Sequence, residues 1–262
     1  MIEISKIASL EILDATDIKE NIQHKIPFTT SSNPIQLKSE IESALFKDNF
    51  CILKTTSLMS KIDYVYFLDS LFKKKILQTR DINSLVMPVK TMDNSSKIIY
   101  SSKYQSFHVD CGDNNYQPNF AILVCLKSAE IGGLSLIVPN EKIIEFIKKY
   151  NLNPEEIEAL YASKSIIYER GNINFTSGIV HKNASGESCF RIRYADRMTG
   201  KTLLYEELLY ELLVFVHNRV NHYRFLLETG EILILNNNKV LHGRNSFKGE
   251  RELMRIWYDG II

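Results

Sequence analysis

With 262 residues, 45% of them hydrophobic, the chain can bury a sizeable core as one domain without disulfides to staple it. Lysine and arginine number 32 against 31 aspartates and glutamates, a formal +1, so no long-range field draws the protein to nucleic acid or to an anionic membrane surface. Four well-separated cysteines, Cys51, Cys111, Cys125 and Cys189, form no Cys-x-x-Cys pair, which argues against a disulfide scaffold and for a reduced, cytoplasmic setting.

At the start of the chain, Met1 to Ile7 carries scattered charges with no apolar core region and does not read as a signal peptide. Leu37 to Phe46 and Ile62 to Phe72 space their apolar residues for helices, and Phe50 to Leu53 between them reads as a short buried strand. Lys73-Lys74-Lys75 reads as a solvated helix end. The N-terminal portion, about 1–80, is therefore expected to be helical, and about 81–262 to form a strand-rich core in the same domain. Phe120 to Leu126 and Leu134 to Val138 are apolar runs of strand length, far too short to span a membrane, with the turn-rich Glu130 to Gly133 between them.

A helical insertion is expected over about 140–225. Asn140 can cap a helix through Tyr150, and Asn153-Pro154-Glu155-Glu156 has a cap residue, proline at the first helical position and an acid three residues after the cap. Tyr205 to His222 has a helical pattern, followed by a strand over Glu231 to Leu235. On that helix His217 and His222 are five apart, which is not the spacing of a helical metal pair; His24 and His181 have no partner motif. No repeat and no phosphate-cradling glycine loop occurs.

The chemistry is concentrated in two distant segments. In Ser106-Phe107-His108-Val109-Asp110 the period of a strand puts His108 and Asp110 on one face, although His-x-Asp alone is common and also fits a surface turn. A third ligand from far along the chain completes a two-histidine, one-carboxylate facial triad, which leaves three adjacent positions open and suits non-haem Fe(II). His242, in Leu241-His242-Gly243-Arg244, is the best candidate. In the last strand, alternation puts Arg251, Leu253, Arg255 and Trp257 on one face and Glu252, Met254, Ile256 and Tyr258 on the other. Two arginines on such a face need anions, either structural acids or the carboxylate of a ligand.

These segments, with Gly132-Gly133-Leu134-Ser135, the run Gly230 to Arg244, and Arg251-x-x-x-Arg255, occur in an order that resembles the Fe(II)- and 2-oxoglutarate-dependent dioxygenases of the taurine dioxygenase and clavaminate synthase-like group. The resemblance implies a double-stranded β-helix, the jelly-roll or cupin-like core, with flanking helices. It implies iron ligation by His108, Asp110 and His242, and a clamp from Arg251 on the distal carboxylate of 2-oxoglutarate. The Ser135 hydroxyl would reach the same co-substrate, unless it only bonds local backbone after the glycine pair. Arg255 would face the substrate. Phe190 to Asp196 resembles a substrate region of the amino-acid hydroxylases, so Asp196 would meet a cationic group, and Tyr104, in the segment leading to His108, is a further candidate for binding substrate. Halogenating relatives lack the carboxylate ligand, whereas this chain keeps Asp110. The activity implied is therefore O2-dependent hydroxylation of a small polar metabolite, an amino acid or derivative, free or tethered to a carrier protein, in a setting such as natural-product biosynthesis. The alternatives are desaturation or another oxidation at the same iron, and a non-catalytic binding protein on the same fold.

Overall fold

A computed structural model describes residues 25–28, 33–76, 78, 84–91, 97–113, 116–149, 152–162, 165–170, 173–182, 186, 188–193 and 198–261. Met1 to Ile7, His24, Tyr150 and Asp196 lie outside these described residues.

Helix α1 (Pro34–Asp48) starts where Asn33 accepts a hydrogen bond from the Ile35 amide, with proline at the first turn. It buries Leu37, Ile41 and Leu45, four apart on one face, and stops at Asn49, whose φ of 60° is left-handed. Helix α2 (Lys61–Asp69) is capped by Ser60. Between these helices, Phe50–Thr55 is a strand of a seven-stranded sheet that also holds Lys25–Phe28, Phe72–Lys75, Val86–Lys90, Phe120–Lys127, Glu231–Asn236 and Glu252–Ile261. The N-terminal portion thus contributes strands as well as helices. The lysine run expected to end a helix lies instead in the strand Phe72–Lys75, because Phe72 is buried in the core and the strand pairs with Tyr258 to Ile261.

A second sheet of four strands, Gln105–His108, Ser135–Pro139, Tyr223–Phe225 and Val240–Arg244, faces the first. Between the sheets Ala121, Cys125, Leu233, Leu235, Leu253 and Trp257 of the large sheet meet Ile137, Phe225 and Val240 of the small one. The alternate residues of the large sheet, Ile122, Val124, Ile232, Ile234, Met254, Ile256 and Tyr258, pack under α1 and α2. The alternation anticipated for the last strand is therefore the observed one.

Helices α3 (Asn140–Lys149), α4 (Pro154–Tyr161) and α5 (Leu203–His217) belong to the insertion, which also carries short strands such as Ile166–Arg170 and Ile173–Ser177. Asn140 is the first residue of α3 rather than the residue before it. The capping box on α4 is complete: the Asn153 side chain accepts from the Glu156 amide, and the Glu156 carboxylate accepts from the Asn153 amide. Leu209, Leu212, Leu213 and Val216 of α5 cover Phe107, Leu136, Val138 and Leu241 on the outer face of the small sheet. Each such side chain stabilises by about 1.5–3 kcal/mol when fully buried. This helix ends five residues before the expected His222: Asn218 adopts an extended ψ of 128°, so that the chain can turn and pair Tyr223–Phe225 with Ser135–Ile137. His217 and His222 are consequently not on one helix. Both are buried or nearly so, with Phe107 edge-on to each, at ring distances of 5.1 and 5.0 Å. No described helix is long and apolar enough to cross a membrane.

Candidate metal centre

In the small sheet His242 pairs directly with His108, and the outward residues Phe107 and Leu241 fix both imidazoles on the inner face. A Cβ on Gly243 would meet the Gln105 carbonyl oxygen at 2.7 Å, so only glycine lets the two strands approach this closely beside the histidine. The strand carrying His108 stops there. Beyond it the Val109 amide donates to the Ile192 carbonyl, and Asp110 lies in a turn rather than on the strand expected to carry it. What aligns Asp110 is Asn237: its Oδ1 accepts from the Asp110 amide at 2.8 Å, and its Nδ2 donates to the Asp110 and Pro118 carbonyls at 3.0 and 2.9 Å. Asn237 is fully buried, and its place in the run Asn236-Asn237-Asn238, a turn before His242, was the available signal for it.

The three candidate ligands converge. Nε2 of His108 and Nε2 of His242 are each 3.9 Å from Oδ1 of Asp110, and the imidazole centroids are 4.3 Å apart. Nδ1 of His108 lies 2.9 Å from the Ser106 carbonyl, which requires the proton there and leaves the Nε2 lone pair facing Asp110. Nδ1 of His242 is buried with no partner among the described residues, so none of them fixes its tautomer. Burial, the charge of His242 and nearby Arg193 push the pKa of His108 well below its usual value; burial, with Arg255 and Arg193 behind it, lowers that of His242. Burial alone would raise the Asp110 carboxyl, but the Arg255 guanidinium, the two histidines and the Trp257 indole together hold it well below the usual carboxylate range. Two neutral imidazoles and an ionised carboxylate, with their ligand atoms converging, fit a divalent metal of the facial-triad type.

Arg251 immediately precedes the last strand and is 7% exposed, yet it has no hydrogen-bond or carboxylate partner among the described residues. Its guanidinium lies 5.8 Å over the Phe247 ring, and burial pulls its pKa down to about 10. Gly132 and Gly133 have φ of 74° and 70°, and a Cβ on Gly133 would come within 3.4 Å of the Arg251 Cδ. The glycine pair thus lets the chain turn tightly against this arginine just before Ser135, which is buried at the start of its strand. A buried cation with no anion among the described residues can accept a ligand carboxylate.

Arg255 has a different partner from the one expected. Its Nη1 donates to Oδ1 of Asp110 at 3.0 Å and its Nε to Oε1 of Gln78 at 3.0 Å. The cause is strand alternation, which points it at the carboxylate ligand. Tyr104 packs into the helix-side core with its ring 6.1 Å from that of His217, and Arg244 ties down the preceding loop through the Ser101 carbonyl.

Two outcomes follow from the shell around the ligands. Asn237→Ala leaves a buried amide and two buried carbonyls without their partner; at about 1–3 kcal/mol for an unsatisfied group, a loss of at least ~2 kcal/mol in denaturant unfolding is expected, with weaker metal binding. Lowered stability in acid is the other. His222 is pulled to about 4, by burial first and then by Arg224, and His217 is lowered by burial. Below about pH 6.5 the unfolded chain takes up protons that the folded chain refuses, so stability present above that pH is lost as pH falls toward the folded values. The metal-free protein should melt at a lower temperature at about pH 5 than at about pH 7; equal melting temperatures would contradict these neutral buried imidazoles.

Two facing sheets of a jelly-roll hold a two-histidine, one-carboxylate cluster between them, the donor set of a mononuclear facial-triad metal site. The chain belongs to the taurine catabolism dioxygenase TauD, TfdA family, whose model matches residues 14–257. It is 22% identical over 180 residues to gamma-butyrobetaine dioxygenase of Homo sapiens, which covers 62% of this chain and 45% of that relative, less than half of the relative's length. Asparagine oxygenase in complex with Fe(II), 2S,3S-3-hydroxyasparagine and succinate has the same fold, with a TM-score of 0.72 at 16% identity over 86% of this chain and 79% of that one. Non-heme iron oxygenase OrfP in complex with Fe and alpha-ketoglutaric acid matches with a TM-score of 0.64 at 12% identity over 86% and 80% of the two chains.

Proposed function

We propose that the protein is an Fe(II)- and 2-oxoglutarate-dependent oxygenase that hydroxylates a C–H bond of a small polar metabolite, an amino acid or amino-acid derivative. The observation that carries this reading is the pairing of the triad with a buried Arg251 that has no acidic partner among the described residues. His108 Nε2, Asp110 Oδ1 and His242 Nε2 hold iron, and Arg251 holds the remote carboxylate of 2-oxoglutarate bidentately, with the Ser135 hydroxyl as a further donor. Fixing that carboxylate fixes the opposite, reacting end of the same small molecule at the metal, which is the positioning contribution of the protein. When bound, iron with 2-oxoglutarate and O2 supplies the oxidising equivalent that attacks the C–H bond, with succinate and CO2 as co-products. The surrounding apolar walls, Leu253 and Trp257 among them, exclude water from that step.

The amino-acid class is supported by the products named in the asparagine oxygenase complex and in an OrfP complex with (3S)-hydroxy-L-Arg. Asp196 is the acid proposed to meet a substrate cation. The substrate is either free or carrier-tethered, and the enzyme works in the cytoplasm, a setting that agrees with its four free cysteines. The test is anaerobic reconstitution with Fe(II) and 2-oxoglutarate, then O2, measuring succinate release across amino acids and their carrier-bound forms. Substrate-stimulated succinate with a product heavier by one oxygen supports hydroxylation; loss of two hydrogens indicates desaturation. No succinate with any substrate, despite bound iron, would leave a binding protein. Stimulation by a lipid, sugar or peptide alone would replace the substrate class and keep the iron chemistry.

A further inference from the structure

Trp257 is the single tryptophan of the chain and is 6% exposed, on the inner face of the last strand beside Leu253. Its indole Nε1 donates to Oδ2 of Asp110 at 2.7 Å, while Oδ1 of the same carboxylate receives Nη1 of Arg255 at 3.0 Å and is the oxygen 3.9 Å from each histidine Nε2. The guanidinium of Arg255 lies 4.4 Å over the indole ring, and Gln78 holds it through Oε1 to Nε and through Nε2 to the Arg255 carbonyl, both at 3.0 Å. Each oxygen of Asp110 therefore has its own donor, and the two donors are stacked on one another.

We propose that Trp257 is a positioning residue that keeps Asp110 a one-oxygen ligand. A carboxylate can meet a metal through one oxygen or through both. In a facial triad the second oxygen would take one of the three open positions that the co-substrate and O2 need. The indole N–H holds Oδ2 back. It is suited to this because it donates without adding charge: a second cation beside Arg255 would compete with the metal for the carboxylate, whereas a neutral donor fixes direction alone. The arrangement also satisfies the indole, whose buried N–H would otherwise be left unpaired.

This inference rests on the metal-centre reading above, and the experiment separates the two. Because the chain has one tryptophan, growth of a tryptophan auxotroph on β-(3-benzothienyl)alanine replaces the N–H by sulfur at position 257 alone, with the ring shape kept. Co(II) is titrated anaerobically into the natural and the sulfur-bearing protein, followed by 2-oxoglutarate, with Trp257→Phe as a second form. The natural protein is expected to bind one Co(II), with saturable quenching of its only indole. The sulfur form should keep its fold by circular dichroism but show a visible Co(II) spectrum of higher coordination number, and weaker binding of 2-oxoglutarate to the Co(II) form. Metal affinity should fall ~10–100-fold, the range typical of a lost outer partner. Identical spectra and affinities in the two proteins would overturn the role of Trp257 while leaving the metal centre intact. Failure of both replaced forms to fold would assign the indole to architecture and overturn it as well. If the natural protein takes up neither Co(II) nor Fe(II), the metal-centre reading itself falls and takes this inference with it.

Discussion

His242→Ala should abolish substrate-stimulated succinate release and lower Fe(II) affinity by more than about 100-fold, since losing only an outer partner of a metal ligand already costs 10–100-fold. The same change should leave the metal-free fold almost untouched. Nδ1 of His242 makes no hydrogen bond among the described residues, so removing the ring strands no partner, and the strand keeps its pairing with His108 and Ile137 through backbone atoms. Asp110→Ala should behave differently, although it removes a ligand of the same site. It takes the carboxylate from a guanidinium and an indole N–H that are both buried, and breaking a buried ion pair from one side destabilises by about 3–5 kcal/mol. Anaerobic calorimetry with Fe(II) beside thermal unfolding of the two variants tests both statements. Native iron affinity in His242→Ala would remove that residue from the site, and equal melting temperatures for the two variants would refute the account of Asp110 as the keystone of a buried charge cluster.

Sequence reasoning reached the three converging side chains because each carries a local signal: His-x-Asp has a spacing, and His242 is followed by a glycine that the strand contact demands. It reached Arg251 and Arg255 as residues on one face for the same reason, since strand period is local. What each arginine meets is not local. Arg255 finds Asp110 and Gln78, which are 145 and 177 residues away, and no pattern within the last strand distinguishes it from Arg251, which meets no acid among the described residues. The end of α5 was hidden for a related reason: the apolar periodicity runs on past His217, but pairing of Tyr223–Phe225 with the small sheet overrides it. Asp110 reached the right place for a reason other than the expected one, through the side chain of Asn237 instead of strand geometry.

Arg251→Met should separate ligand binding from stability in a way that no structural salt bridge would. In the ligand-free protein the guanidinium is buried without an anion among the described residues, and its pKa is drawn down from its usual value to about 10 by that burial. A lowered pKa on a base means that the folded state disfavours the charge at every pH below the folded value, so at neutral pH the group opposes folding, by at most ~3.5 kcal/mol at about 1.4 kcal/mol per unit. A methionine of similar reach removes that penalty and keeps contact with Phe247 and the glycine turn, so the ligand-free variant should melt at the same temperature as the natural protein or higher. Binding should move the other way. A bound carboxylate that has lost its cation typically costs 2–5 kcal/mol, about 30- to 4000-fold in Kd for 2-oxoglutarate. The stabilisation that 2-oxoglutarate gives the metal-loaded protein should shrink with it. A 2-oxo acid without the second carboxylate supplies the control: it should bind the natural protein far more weakly than 2-oxoglutarate does, and Arg251→Met should erase that preference rather than weaken both ligands alike. A variant that melts several degrees lower in the absence of ligand, while still preferring the dicarboxylate, would make Arg251 part of the architecture and leave the co-substrate to another cation.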